Sequence, residues 1–197
     1  MHTALRALSL LAVAGALGGG LLIFATDAPQ SQLAAGAVAE IPMTLSLTSS
    51  AFEHESPIPA RYTCDADNVN PPLVIRGVPE GAKSLVLIME DPDVPTVIRA
   101  DGMWDHWVAF NIPPDTVAIP EHSEPAGVLG VGSGGMPGYK GPCPPNGEHR
   151  YLFKLFALDA MLDLAPGVTK AQVVDAMQGH IVAEATLMGR YARGEKE

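Results

Sequence analysis

The sequence predicts a mainly β protein: a sandwich of short strands with one helix towards its C-terminal side. Three observations lead there. Apolar runs of strand length alternate with loop chemistry in a chain holding 20 glycines and 18 prolines among 197 residues. Three of those runs, "KSLVLIM", "HWVAFNI" and "YLFKLFAL", are dense enough for strands covered on both faces. Only one stretch repeats its apolar residues at a helical spacing, and strands that succeed one another without intervening helices argue against βαβ units.

The first residues stand apart from this pattern. In "MHTALRALSLLAVAGALGGGLLIFATDAPQ" Arg6 is the only fixed side-chain charge before Asp27. Residues 1–26 therefore read as a secretory signal or an N-terminal membrane anchor, with a length between the about 15 residues of a signal core and the about 20 of a span. Gly15, Gly18, Gly19 and Gly20 weaken a helix there, and "AVA" at 37–39 has the small-x-small form of a processing site. Either version exports the remainder of the chain, because Arg6 and the amino terminus stay inside. The expected location is periplasmic or secreted, or anchored with the domain outside the cytoplasm; initiation at Met43 is the competing reading. Residues 27–40 form an Ala/Gln/Ser-rich tether, 41–193 the folded domain and 194–197 a polar tail.

Charge narrows the partners. The chain has 12 Lys plus Arg against 22 Asp plus Glu, a net charge of −10, and losing residues 1–39 would remove one of each. So acidic a domain is a poor general binder of nucleic acid or anionic bilayers, leaving the N-terminal segment as its route to a membrane. Any anionic ligand must be held by a local pocket. The two cysteines, Cys64 and Cys143, either pair in an oxidising compartment or lie as buried thiols. No spacing suggests a structural zinc, and no cofactor is implied.

Along the domain, "MTLSLTS" alternates apolar and polar residues as a half-buried strand does. The three dense runs come next, separated by "NVNPPL", "GVPEGA", "NIPPD" and a long loop over 121–147 with no strand or helix pattern. The helix falls in "VTKAQVVDAMQGHI", where Thr169 as N-cap with Gln172 three residues on makes a capping box. Val173, Met177 and Ile181 give it an apolar stripe, Gly179 weakens its last turn, and "ATLMGRYAR" closes the domain as a strand.

Three strand ends carry polar groups out of keeping with their apolar runs. In "MEDPDVPT" Asp91 and Asp93 lie two residues apart, and Pro92 and Pro95 predict a stiff, extended lip from which both carboxylates point one way. His106 opens "HWVAFNI" beside Asp105. His149 and Tyr151 open the next run and share a face by the two-residue period of a strand. Each cluster alone reads as a solvated turn or a satisfied structural residue; together they point to one shared rim.

With "IPARYTCDADNVNPPL", "GVPEGAKSLVLIMEDPDVP", "HWVAFNIP", "GYKGPCPPNGEHRYLFKLFALD" and "LMGRYAR" in this order, the chain from about Met43 to Arg193 resembles the phosphatidylethanolamine-binding proteins, in particular their bacterial Raf-kinase-inhibitor-like branch. The resemblance implies two antiparallel sheets, the larger of Greek-key type, with a short helix at the C-terminal side. It also implies a small pocket for phosphate, a phosphorylated small molecule or a lipid head group, formed by Asp91, Asp93, His106, His149 and Tyr151 with Pro142 and Pro144 as one wall. The implied role is a non-enzymatic binding module that can inhibit a protease or kinase-like protein partner. The competing reading is a metal-assisted hydrolase using Asp91, Asp93, His106 and His149 as ligands. Ala66, Arg76 and Asp105 depart from the pattern of bacterial relatives and leave the charge of the rim open.

Overall fold

The structure, a computed structural model, describes residues 44–194; the signal or anchor, the tether, the first residues of the domain and the end of the polar tail lie outside the described residues. Two sheets account for the strands. The smaller contains β1 (Ser46–Ser49), β3 (Leu73–Arg76) and β6 (Ala118–Ile119), in the order β1-β3-β6. The larger contains β2 (Ser56–Pro57), β4 (Ser84–Asp91), β5 (Trp104–Ile112), β7 (Val128–Leu129), β8 (Glu148–Leu158) and β9 (Ile181–Ala192), in the order β2-β9-β8-β4-β5-β7. Pairing is antiparallel apart from the two residues of β2, which run parallel to β9.

β4 is the central partition, buried at all eight positions. Its alternation sends Leu85, Leu87 and Met89 to one side, where they meet Leu47, Leu73, Ile75 and Ile119 of the smaller sheet. Val86 and Ile88 go to the other side, against Val108, Phe110 and the helix residues Val173 and Met177. The result is three layers, sheet on sheet on helix, with each fully buried apolar side chain contributing about 1.5–3 kcal/mol. The helix, α1 (Lys170–Met177), begins as its sequence requires: Thr169 accepts from the Gln172 amide, and the Gln172 side chain accepts from the Thr169 amide.

Several elements differ from the pattern reading. The helical stripe stops at Met177, because Gly179 adopts a left-handed φ of 80° and turns the chain into β9; Ile181 becomes a strand residue, 44% exposed. "YLFKLFAL" is covered fully on one face only, with Leu152, Lys154 and Phe156 half-buried. The loop over 121–147 contains β7, and Val131 bridges to both Pro137 and Thr169. Gly130 and Gly132 permit this path, since a Cβ there would collide with Val168 O and Asp105 O respectively. Strands β2, β6 and β7 have two residues each, too few to show a period in sequence.

Gly189 shows how tightly β9 is packed. It pairs with Tyr151, and a Cβ would come within 2.8 Å of Phe52 Cε2 and closer still to Ile58 Cγ1. Gly189→Ala should destabilise the protein by about 1–3 kcal/mol through overpacking, measured as a lower urea midpoint at unchanged slope.

Candidate functional site

Antiparallel order brings the three polar strand ends together. β8, β4 and β5 are neighbours, so the last residue of β4 lies beside the first residues of β8 and β5. β4 stops at Asp91 because Pro92 has no N–H to continue the ladder. A cavity of about 400 Å³ opens there, bordered by Asp91, Asp105, His106 and Lys140, by the Cys64–Cys143 disulfide, and by the apolar side chains Val94, Ile98, Trp104 and Met136.

His106 reaches this cavity through an irregularity. The β4–β5 register pairs Met89 with Trp107 but Glu90 with Asp105, so His106 is the extra residue of a β-bulge. Strict alternation would place it with Val108 on the helix side. The bulge instead sets its ring edge-on against Tyr151, with centroids 5.3 Å apart. Its Nδ1–H donates to Lys140 O at 2.7 Å, while Lys140 N donates to His106 O at 3.1 Å. Nε2 is thereby the ring atom that can accept in the neutral form. Burial lowers the His106 pKa from its ordinary 6.5, opposed by the Lys140 carbonyl and by the charges of Asp91 and Asp105.

Asp91 lies 3% exposed at the floor, and both its oxygens are engaged. Oδ1 accepts from the Asp93 amide at 2.8 Å, and Oδ2 accepts from His149 Nδ1 at 2.7 Å. The first of these bonds bends the chain at Pro92, so the expected straight lip with two parallel carboxylates is absent. Asp93 turns to Arg150 instead, accepting from its amide, Nε and Nη2 at 2.9, 2.9 and 2.6 Å. That pairing holds the Asp93 carboxyl below its ordinary range despite partial burial. His149 and Tyr151, 4% and 0% exposed, do not border the cavity; they touch it through Asp91 and His106. The Tyr151 hydroxyl is buried without a hydrogen-bond partner among the described residues, and burial together with the Asp91 charge raises its pKa strongly.

The Pro-rich loop meets the cavity through Gly141, Cys143 and Pro145, while the alternating Pro142 and Pro144 are buried. It is held to the 60–68 segment by Cys64 N donating to Pro142 O at 3.0 Å, Gly141 N donating to Asn68 Oδ1 at 2.8 Å, and the disulfide, whose Cα atoms are 5.4 Å apart.

On the opposite face of the same sheet end, Glu90 is 6% exposed between Lys154 and Lys170, and Lys170 Nζ also lies 2.5 Å from Asp105 Oδ1. Burial alone would raise the Glu90 carboxyl, but the two lysines outweigh it and hold it below the ordinary value. The cluster ties α1 to β4 and β5 and neutralises Asp105. Among the described residues no group of three or more His, Cys, Asp or Glu side chains is placed to hold a metal ion. The roles of Lys140 and Lys170 escaped the sequence reading: "GYKGPC" displays a lysine beside the wall motif, but only the fold shows what it faces.

The layers and the floored cavity define a class, a two-sheet β domain with a small polar-floored pocket at one end of the larger sheet. The family model for phosphatidylethanolamine-binding protein matches residues 48–192, and the chain belongs to that family. A UPF0098 protein of Methanothermobacter thermautotrophicus is 49% identical over 156 residues, 76% of this chain and 100% of its own length. One from Chlamydia trachomatis is 47% identical over 149 residues, 76% of this chain and 99% of its own. Among solved structures, the phosphatidylethanolamine-binding protein homolog CT736 of Chlamydia trachomatis superposes with a TM-score of 0.75 at 46% identity, covering 77% of this chain and 99% of that one. Escherichia coli YbcL, described as a member of the mammalian family, gives 0.70 at 28% identity, covering 77% and 100%.

The disulfide closes a separation of 79 residues; Cys64→Ser with Cys143→Ser should cost about 2–4 kcal/mol, read by urea denaturation against the oxidised protein. Because burial holds His106 below 6.5, its contribution to stability is complete above that pH and declines as pH falls through the folded-state value. The urea midpoint should drop between pH 7.5 and 5.5, and His106→Gln should make that drop smaller.

Proposed function

We propose that the chain is an exported binding module whose pocket takes a small phosphate-type anion or a phosphorylated head group. One observation carries this reading: Asp91 and His106, from the ends of two neighbouring strands, both border one cavity, with buried Tyr151 behind them against the His106 ring. His106 is the cavity-lining ring that can bond an anionic oxygen. Neutral, its Nε2 accepts from a singly protonated phosphate; protonated, it donates to the dianion. For a phosphate monoester, a dianion at neutral pH, the complex in both cases holds one more proton than the free components, so its binding weakens as pH rises.

Asp91 and His149 act in this reading as supports. The carboxylate orients the His149 ring and sets the polarity of the floor without needing to touch the anion. In this reading the pocket works as a receptor or as the recognition site of an inhibitor of a protease or kinase-like partner outside the cytoplasm. Export rests on the apolar segment 1–26, which lies outside the described residues; among the described residues no helix is long and apolar enough to cross a membrane.

The test is an NMR titration with inorganic phosphate and O-phosphorylethanolamine. Shifts should be confined to Asp91, His106, Tyr151 and their neighbours, with affinity for O-phosphorylethanolamine falling from pH 6 to 8. His106→Gln should weaken binding by about tenfold or more, the scale of a lost hydrogen bond to a charged group, and His149→Ala should weaken it less than or as much as His106→Gln. Shifts scattered elsewhere, or affinity that climbs from pH 5 to 8, would overturn the proposal.

A further inference from the structure

The charged side chains around the cavity have hydrogen-bond or ion-pair partners, with one exception. Asp91 has the Asp93 amide on one oxygen and His149 on the other, Asp93 has Arg150, and Asp105 has Lys170. The nearby cations are matched as well: Arg61 pairs with Asp67 and Glu121, Arg99 with Asp101, and Arg193 with Asp65. Lys140 borders the cavity, is exposed, and has no carboxylate within ion-pair distance among the described residues. Its side chain starts from a fixed place, because its backbone N–H and C=O are bonded to the backbone and ring of His106.

We propose that Lys140 makes the pocket select phosphate esters whose outer group is an anion, such as a carboxylate or a second phosphate, over those whose outer group is an ammonium. The inference rests on the anion reading above and names the ligand class within it. A phosphate seated against His106 directs its substituent outward, past Lys140, whose backbone is hydrogen-bonded to His106. An ammonium there meets the lysine charge and finds the cavity's carboxylates already engaged. A carboxylate there gains an ion pair with Lys140, and the contrast with a repelled ammonium doubles the effect of an exposed pair. The molecule's net charge of −10 opposes this attraction only through water, so the adjacent lysine dominates at short range.

Phosphoglycolate and O-phosphorylethanolamine provide the contrast, being two-carbon phosphate esters that end in a carboxylate and an ammonium. Calorimetric titration of the full chain with both, and with inorganic phosphate, should show phosphoglycolate bound about five- to tenfold more tightly than the amine ester. Lys140→Met should abolish that ratio and Lys140→Glu should invert it, with inorganic phosphate affected less than phosphoglycolate. Because Lys140 is exposed, both variants should keep the thermal midpoint of the parent, which reads out folding separately. A ratio unchanged in Lys140→Met, or a wild-type preference for the amine ester, overturns the selectivity. If inorganic phosphate binds and is lost in His106→Gln while the ratio stays near one, the selectivity falls and the anion pocket stands; if none of the three binds, both fall.

Discussion

Asp91 and His149 are both buried, and each would leave a polar group without a partner if the other were missing. Their 2.7 Å hydrogen bond joins the last residue of β4 to the second residue of β8, so it decides where the sheet stops being a ladder and becomes a pocket. In a low-dielectric setting such a bond is strong when made and costly when broken. The neighbouring features lean on it. Asp91 fixed by His149 offers its second oxygen to the Asp93 amide, that turn carries Asp93 to Arg150, and Arg150 belongs to the same strand as His149. The chain is thus laced back onto β8 immediately after leaving β4.

A second lacing acts on the far side. Lys140 and His106 exchange two hydrogen bonds, and the disulfide with the Asn68 bond ties the same loop to the 60–68 segment. The cavity wall is therefore a loop segment without regular structure, pinned by the backbone groups of Lys140, Gly141 and Pro142. Beneath it, the ion cluster of Glu90, Lys154, Lys170 and Asp105 anchors α1 to the opposite face. Its worth lies in position as much as in energy, since buried charges that satisfy one another add little net stability but fix an arrangement.

Much of this was legible in the sequence where a local rule operates. The capping box at Thr169 and Gln172, the dense run of β4, and the gathering of Asp91, His106, His149 and Tyr151 stem from caps, period and strand ends. What was hidden depends on non-local choices. The bulge that re-aims His106 arises from register between β4 and β5, which no single strand displays. Asp93 and Asp91 look alike in "DPD", yet a turn bond formed by one of them separates their fates. Strands of two residues have no period to detect. Lys140 stands beside the wall motif in plain view, but that its charge is unmatched becomes visible only once the other charges around the cavity have been assigned their partners.

The double burial of β4 has a bearing on how such a domain can diversify. Its side chains are pressed by the smaller sheet on one side and by the helix layer on the other, so a change of volume at Leu87 or Ile88 has no free direction in which to relax. The mouth of the cavity has the opposite freedom: Ile98 and Met136 are more than half exposed and lie on loops braced from below. Those side chains can be exchanged, and the mouth of the cavity reshaped, while the floor keeps its geometry. The fold thus divides an inherited frame from a surface open to experiment, and the boundary between the two runs through Asp91.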